Sequence, residues 1–291
     1  MKTNIIIGGA FASGTSFLAS YLVKSKYINL IKTKDGKEIN FFHFSKYYKR
    51  GFNWYSKFIK KNKINIDHSS MILTSEKSAR RIFKYNKEVK FIFCIRNPVD
   101  RSYAHYRYTQ LNGLEDKLFL QAIKLEKKRK KKLLGKWKEI SPFSYINNGL
   151  YYKHLSKFFE LFPKQNILLI KSEDLRKKPY KTLRKIFRFI NLKFEKFKLP
   201  SNHSSGSVIN IQKHLELKKK IGKKFNHIIE RFRKNANLLT KNNINYQNLK
   251  KNISKHYQKI SIEDRRYLHN FFKKDLSKLK KITDINFKNE N

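Results

Sequence analysis

The chain has 291 residues, of which 40% are hydrophobic, so it can bury a core of domain size. Its 68 Lys and Arg residues against 21 Asp and Glu give a formal net charge of +47, which favours anionic partners such as nucleic acid, acidic lipid, acidic glycans or a phosphorylated ligand. Because Asn, Ile, Phe and Tyr are also frequent, much of the lysine fits a solvated surface equally well. The lone cysteine, Cys94, excludes an internal disulfide and a cysteine-based metal site, and suits a reducing compartment.

The stretch Asn4–Val23 is predicted to form a strand, a loop of small residues and a helix. Ile5–Ile7 is a β-branched run, and apolar residues recur with helical spacing from Phe17 to Leu22. Between them lie Gly8, Gly9, Ser13, Gly14, Thr15 and Ser16. Glycine allows close backbone approach, and the start of a helix offers unpaired N–H groups, so this loop is expected to bind a phosphate.

Two other interpretations compete for this stretch. A P-loop NTPase would place a lysine between the last glycine and the Ser or Thr, whereas Gly14 is followed directly by Thr15, which disfavours Mg-ATP chemistry. A signal peptide or membrane anchor would also begin with Lys2 and an apolar segment, but the centre of this one, Ala12–Ser16, is polar.

The next segments along the chain carry weaker patterns. An extended piece is predicted around Lys37–Phe44, with Glu38 near its start, and a second strand is predicted at Met71–Thr74. Short helices are predicted at Gly51–Phe58 and at about Ala79–Tyr85.

The remaining segments alternate strands with helices. Strands are predicted at Lys90–Ile95 and Asn166–Lys171, and helices at Pro98–Gly113, Leu118–Leu134, Gly149–Phe162 and Pro179–Ile190, followed by a loop at Leu199–Asn210 and a basic helical region over Ile211–Leu279. The alternation predicts an α/β fold of three layers, with a central parallel sheet, a P-loop-like phosphate-binding loop and a helical C-terminal extension. Residues 1–200 are expected to form the α/β core and residues 201–291 a basic helical part of the same domain.

Several motifs occur together in one order. They are the Gly9–Ser16 loop, Lys37-Glu38-Ile39-Asn40-Phe41-Phe42, Gly51-Phe-Asn-Trp54-Tyr55, Glu76-Lys77-Ser78, and Arg96-Asn97-Pro98-Val-Asp100-Arg101 after a strand. Over about Asn4–Leu192 this set resembles the sulfotransferases that use PAPS (3′-phosphoadenylyl sulfate), and within them the branch with the heparan sulfate N- and O-sulfotransferase domains.

The resemblance implies a role for each matching residue. Gly9, Ser13, Gly14, Thr15 and Ser16 match the loop that holds the 5′-phosphosulfate of the donor. Arg96 matches the arginine that binds the 3′-phosphate, although it could also pair with Asp100, four residues on. Glu38 matches the catalytic glutamate that acts as general base. Lys77 matches a lysine near the acceptor and the transferred group, and no metal is required.

The chain departs from the family pattern at several positions. Ala12 stands where the family loop has Lys or Arg, and Ala104 stands where it has a serine that binds the 3′-phosphate. Asn40 and His43 replace the His and Asp that often face the acceptor in O-sulfotransferases.

These observations predict a sulfotransferase that moves a sulfuryl group from PAPS to a hydroxyl or amine of a glycan-like or other small acceptor. A basic binder of nucleic acid or an anionic polymer, suggested by charge alone, is one alternative, and a donor-binding relative of weak activity, suggested by Ala12 and Ala104, is another. We expect no specific nucleic-acid partner, no membrane span and a cytoplasmic location; the sequence carries no signal for oligomeric state.

Overall fold

The computed structural model describes residues 2–33, 36, 38–111, 114–199 and 260–287. They form two compact units. The first draws its residues from Met1–Pro98, Leu150–Ser205 and Lys273–Asn291, and the second from Val99–Gly149 and Gly206–Phe272.

The first unit contains a parallel sheet of five strands in the order β2-β3-β1-β4-β5. The strands are β1 (Ile5–Gly9), β2 (Ile28–Ile31), β3 (Ile64–His68), β4 (Lys90–Ile95) and β5 (Ile167–Lys171). From β1 the chain runs to the edge strand β2, returns to β3 beside β1, and then crosses to β4 and β5 on the other side. The strand order therefore reverses at β1, and ligands of open α/β sheets bind at the carboxyl ends of the strands beside such a point.

The helices of the described residues have the following bounds. They are α1 (Thr15–Leu22), α2 (Ser45–Tyr48), α3 (Gly51–Ser56), α4 (Glu76–Tyr85), α5 (Pro98–Leu111), α6 (Phe119–Lys132), α7 (Gly135–Ile140), α8 (Tyr151–Leu161), α9 (Ser172–Lys177), α10 (Pro179–Phe189) and α11 (Ile262–Ile282).

Each face of the sheet carries its own hydrophobic core. Because side chains alternate along a strand, Ile6 lies in one core, with Phe91 and residues of α4 and α8, while Ile5 and Ile7 lie in the other, with residues of α1 and α10. The three-layer α/β/α arrangement expected from the sequence is therefore confirmed. Asn4–Val23 supplies β1, the loop and α1 of this core. Among the described residues, no helix has both the length and the apolar character needed to cross a membrane.

Several sequence predictions are confirmed and several are wrong. The strands predicted at Lys90–Ile95 and Asn166–Lys171 are present, as are the helices predicted between Gly51 and Ile190, with ends shifted by one to three residues. The strand predicted at Met71–Thr74 is instead a 3₁₀ turn at Ile72–Thr74, and residues 41–43 of the predicted extended piece form a turn. β2 and β3 were not predicted. Most of the predicted loop at 199–210, and the predicted helical residues 211–259, lie outside the described residues.

Within the second unit, buried polar groups pair with one another. The buried carboxylate of Glu115 accepts hydrogen bonds from Arg129 Nη2 at 3.1 Å and from the Tyr145 hydroxyl at 2.8 Å. The fully buried Arg101 donates to the carbonyl oxygen of Tyr145. Asp100 forms an ion pair with Arg265 at 2.8 Å. The bonds to Glu115 satisfy a charge that would otherwise be costly to bury.

Candidate active site

The loop between β1 and α1 presents polar groups at the carboxyl edge of the sheet. Gly14 is in the left-handed region, at φ +87°, and precedes α1, and the first bond within the helix runs from Leu18 N to Gly14 O at 3.0 Å. The N–H groups of Thr15, Ser16 and Phe17 therefore have no partner within the helix. Ser13 is fully buried, and its hydroxyl has no hydrogen-bond partner among the described residues. Such a set of donors at a helix start suits an anion.

This loop is bonded to the neighbouring strand β4. Ala10 N donates to the carbonyl oxygen of Cys94 at 2.7 Å, and the Cys94 thiol donates to the carbonyl oxygen of Ser13 at 2.9 Å. Burial raises the pKa of the Cys94 thiol to about 12, so it keeps the proton that it donates. Arg96 follows Cys94 by two residues, so the loop and Arg96 leave adjacent strands at the same edge.

The backbone around Arg96 is held by the helices that flank β5. The Tyr151 hydroxyl, at the start of α8, donates to the Arg96 carbonyl oxygen at 2.8 Å and lies 3.3 Å from the Arg96 amide nitrogen, which donates to it. The next amide, Asn97 N, donates to Glu173 Oε1 at 3.0 Å, in the first turn of α9. These bonds fix the position from which the half-buried Arg96 side chain extends.

Glu38 lies after β2 and is held by donors from Ser70, just past the end of β3, and from Asn40. Its Oε2 accepts hydrogen bonds from the Ser70 amide at 3.1 Å, the Ser70 hydroxyl at 2.9 Å and Asn40 Nδ2 at 3.2 Å. Its Oε1 lies 3.1 Å from His68 Nε2. The Glu38 side chain is 25% exposed. The carboxylate is thus oriented by the protein and still reachable from outside.

Gly9 brings the loop between β1 and α1 against Ser70, which holds Glu38. Gly9 has φ +132°, and a Cβ atom there would lie 2.7 Å from the carbonyl oxygen of Ser70. Only glycine permits this approach. Ser70 donates hydrogen bonds from both its amide and its hydroxyl to Glu38. The loop therefore packs against the same residue that holds the carboxylate.

Lys77, which the sequence also placed in the site, lies in the first turn of α4. Its side chain is exposed, and its ammonium donates to the Ser45 hydroxyl at 3.1 Å. The same hydroxyl accepts a hydrogen bond from Arg81 Nη2 at 3.1 Å. The structure therefore places Lys77 beside the start of α2. Of the other predicted residues, Thr15 is buried and Ser16 is exposed.

Sequence reasoning missed His68 and Ser70, because it did not recognise the strand that precedes them. The apolar residues Ile64 and Ile66 alternate with polar ones, which indicates a strand that ends in a cluster of polar residues. This alternation is the sequence signal from which the strand, and the polar residues after it, could have been predicted. In the described part of the chain, no group of three or more His, Cys, Asp and Glu side chains is arranged to hold a metal ion.

Comparisons with known proteins agree with this architecture. A family model described as the sulfotransferase domain matches residues 2–282. The mouse heparan sulfate glucosamine 3-O-sulfotransferase 5 is 26% identical over 172 residues, and the mouse 3-O-sulfotransferase 3B1 is 27% identical over 191 residues. The matches cover 55% and 65% of this chain and 46% of each relative, so the chain spans about half the length of these relatives.

Among solved structures, a sulfotransferase from Alicyclobacillus acidocaldarius superposes with a TM-score of 0.70 at 17% identity. The superposition covers 99% of this chain and 98% of the other. At this level of identity the likeness supports the fold.

Proposed function

The chain belongs to the family of proteins with a sulfotransferase domain, and on this premise we propose that it transfers a sulfuryl group from PAPS to a glycan hydroxyl or amine. The observation that carries the proposal is that Ser70 contacts both Gly9 of the loop and the Glu38 carboxylate. A loop suited to a phosphate and an oriented carboxylate meet there, which supports the binding of an anionic donor next to a base.

The donor residues are those of the loop and of the end of β4. The amides at the start of α1 and the buried hydroxyl of Ser13 would bind the 5′-phosphosulfate, and Arg96 would bind the 3′-phosphate. The unpartnered Ser13 hydroxyl supports this assignment, because a buried hydroxyl without a hydrogen bond among the described residues is costly unless a ligand supplies the partner.

The reaction is an in-line displacement at sulfur. The acceptor oxygen or nitrogen forms a bond to sulfur while the bond between sulfur and the bridging oxygen of the 5′-phosphate breaks, and that oxygen keeps the electron pair. The acceptor proton moves to the Glu38 carboxylate. As in phosphoryl transfer, the protein mainly positions the reactants and stabilises developing charge. Donors at the helix start would stabilise the charge on the departing adenosine 3′,5′-bisphosphate.

Two observations support a glycan as the acceptor. The relatives include two named for the 3-O-sulfation of heparan sulfate glucosamine. The formal charge of +47 also favours attraction of an acidic polysaccharide, and this attraction would weaken as salt rises.

The test is transfer of ³⁵S from labelled PAPS to heparan sulfate and its desulfated forms. We expect label in the glycan with the wild type, and a rate lower by about 10²–10⁴-fold with Glu38→Gln, because general base catalysis contributes that much. Glu38→Gln should still bind adenosine 3′,5′-bisphosphate. Glu88→Gln, at an exposed glutamate, is the matched control and should act as wild type. Absence of transfer to any acceptor, or full activity of Glu38→Gln, would contradict the proposal.

A further inference from the structure

His68 occupies a position beside Glu38 that its sequence context does not reveal. It is the last residue of β3 and is only 5% exposed. Its Nε2 atom lies 3.1 Å from Glu38 Oε1, yet among the described residues this buried nitrogen has no partner in hydrogen-bond alignment. A buried polar atom in this state needs an explanation, because burial without a hydrogen bond is costly.

The two oxygens of Glu38 are in different situations. Oε2 receives three donors, two from Ser70 and one from Asn40. A carboxylate oxygen has about two lone-pair sites, so Oε2 has no capacity left for a proton from an acceptor. Oε1 accepts no hydrogen bond from the described residues, and it is the oxygen that His68 faces. The proton of the acceptor would therefore be taken by Oε1.

We propose that His68 is a positioning residue for Glu38, and that it donates its Nε2–H to Oε1 when the acceptor is bound. One lone pair of Oε1 is then held by His68, and the other is directed at the acceptor proton. The inference rests on the proposed function. The present misalignment fits this role, since hydrogen bonds between catalytic groups are often poorly aligned in the absence of substrate and tighten in its complex.

The charges around His68 favour a neutral ring. Burial lowers the pKa of His68 below its ordinary value of 6.5, Lys32 lowers it further, and Glu38 acts in the opposite direction. Lys32 follows β2 directly, and Glu38 lies farther along the same connection, so both charges approach from the neighbouring strand. A neutral imidazole orients the carboxylate without adding a full positive charge that would oppose proton uptake.

The kinetic test compares His68→Leu with His68→Gln, whose amide retains a donor near the position of Nε2. We expect His68→Leu to lower kcat on the order of 10²-fold, the typical cost of a misplaced catalytic group, and His68→Gln to recover most of it. The affinity for adenosine 3′,5′-bisphosphate should be unchanged in both variants, which separates positioning from a general loss of structure. Wild-type kcat in His68→Leu would overturn the proposal.

A spectroscopic test does not depend on folding of His68→Leu or on turnover. In ¹⁵N-histidine NMR of the wild type, with His68→Gln used to identify the signal, we expect the Nε2–H tautomer. Glu38→Gln should lower the pKa of His68, because the carboxylate raises it. An Nδ1–H tautomer, or a pKa unaffected by Glu38→Gln, would overturn the role of His68 alone. A wild type that shows this signature but transfers no sulfuryl group would instead overturn the proposed function.

Discussion

The thiol of Cys94 donates a hydrogen bond to the carbonyl oxygen of Ser13 across 2.9 Å. This contact joins strand β4 to the loop at the start of α1, in the middle of the sheet. Because Arg96 lies two residues beyond Cys94, the bond couples the two groups that we assign to opposite ends of the donor. The position of the loop relative to β4 therefore depends in part on one buried side chain.

Removal of this bond should weaken donor binding. Cys94→Val keeps an apolar side chain but has no donor, and a typical hydrogen bond contributes about 1 kcal/mol, so we expect the Kd for adenosine 3′,5′-bisphosphate to rise about 5-fold. Cys94→Ser keeps a donor and should stay closer to wild type. Isothermal titration calorimetry measures both values. Equal Kd values for Cys94→Val and wild type would show that the bond does not position the loop.

Lys77 is expected to affect acceptor binding more than the rate of transfer. It is exposed and its ammonium is held by Ser45, which places its charge on the surface near α2. We expect Lys77→Ala to raise KM for heparan sulfate several-fold with little change in kcat. Lys84→Ala, at another exposed lysine of α4, is the control. If Lys77→Ala instead slows turnover by about two orders of magnitude while donor binding stays normal, Lys77 acts at the transferred group.

Ala12 offers a gain-of-function test. The related enzymes implied by the sequence resemblance have Lys or Arg here, next to the leaving phosphate. Ala12 already has φ +64°, so a longer side chain adds little new backbone strain. We expect Ala12→Lys to speed turnover about tenfold by adding a cation near the developing charge. Ala12→Gln, of similar length without charge, should not. Equal rates for the two variants would show that charge at this position does not limit transfer.

Asp67 should make stability depend on pH. It is fully buried, and burial raises its pKa from 3.8 to about 6, although hydrogen bonds from Ser69 and Tyr55 act to lower it. Between pH 3.8 and about 6, the Asp67 carboxyl is therefore protonated in the folded state and ionised in the unfolded state. This contribution is fully present below the unfolded pKa of 3.8 and is lost as pH rises through about 6.

The matched variant for Asp67 is Asp67→Asn, which does not titrate. Between about pH 4 and pH 7 we expect the wild type to lose about 2 kcal/mol of unfolding free energy relative to the variant, since each pKa unit corresponds to about 1.4 kcal/mol. Urea unfolding at a series of pH values measures the difference. A difference that stays constant over this range would show that Asp67 titrates normally.

The strands that could be predicted from the sequence are those that consist of a continuous run of apolar residues. β4 is buried on both faces, and its run of Phe, Ile and Cys identifies it directly. β2 and β3 each contain an asparagine, which interrupts the pattern. Asn29 and Asn65 are register partners, and Asn29 Nδ2 donates to Asn65 Oδ1 at 2.7 Å. The hydrogen bond between these two side-chain amides joins residues that are far apart in the chain. The pattern of apolar and polar residues along the sequence does not reveal such a contact.

The same dependence on contacts between distant residues explains why some residues of the site were predicted and others were missed. Motif order selected the loop, Glu38 and Arg96, and the structure places them at one edge of the sheet. The loop and Arg96 each adjoin a predicted strand, whereas Glu38 follows β2, which was not predicted. His68 and Ser70 follow a strand that was not recognised. Their proximity to Glu38 depends on the pairing of β2 with β3. Lys77 was selected by its neighbours in sequence, Glu76 and Ser78, rather than by position in the fold.

The loop at the start of α1 and Arg96 are proposed to bind the two ends of one doubly phosphorylated nucleotide. Calorimetric titration of adenosine 3′,5′-bisphosphate into wild type, Arg96→Ala and Arg80→Ala tests this arrangement. Arg80 is exposed and pairs only with Glu76 among the described ion pairs, so its loss should leave Kd unchanged. We predict that Arg96→Ala weakens binding by about 10- to 150-fold, the equivalent of about 1.5–3 kcal/mol for hydrogen bonds to a charged group. Binding of equal strength by Arg96→Ala and wild type, or no binding by the wild type, would show that Arg96 and the loop do not form this site.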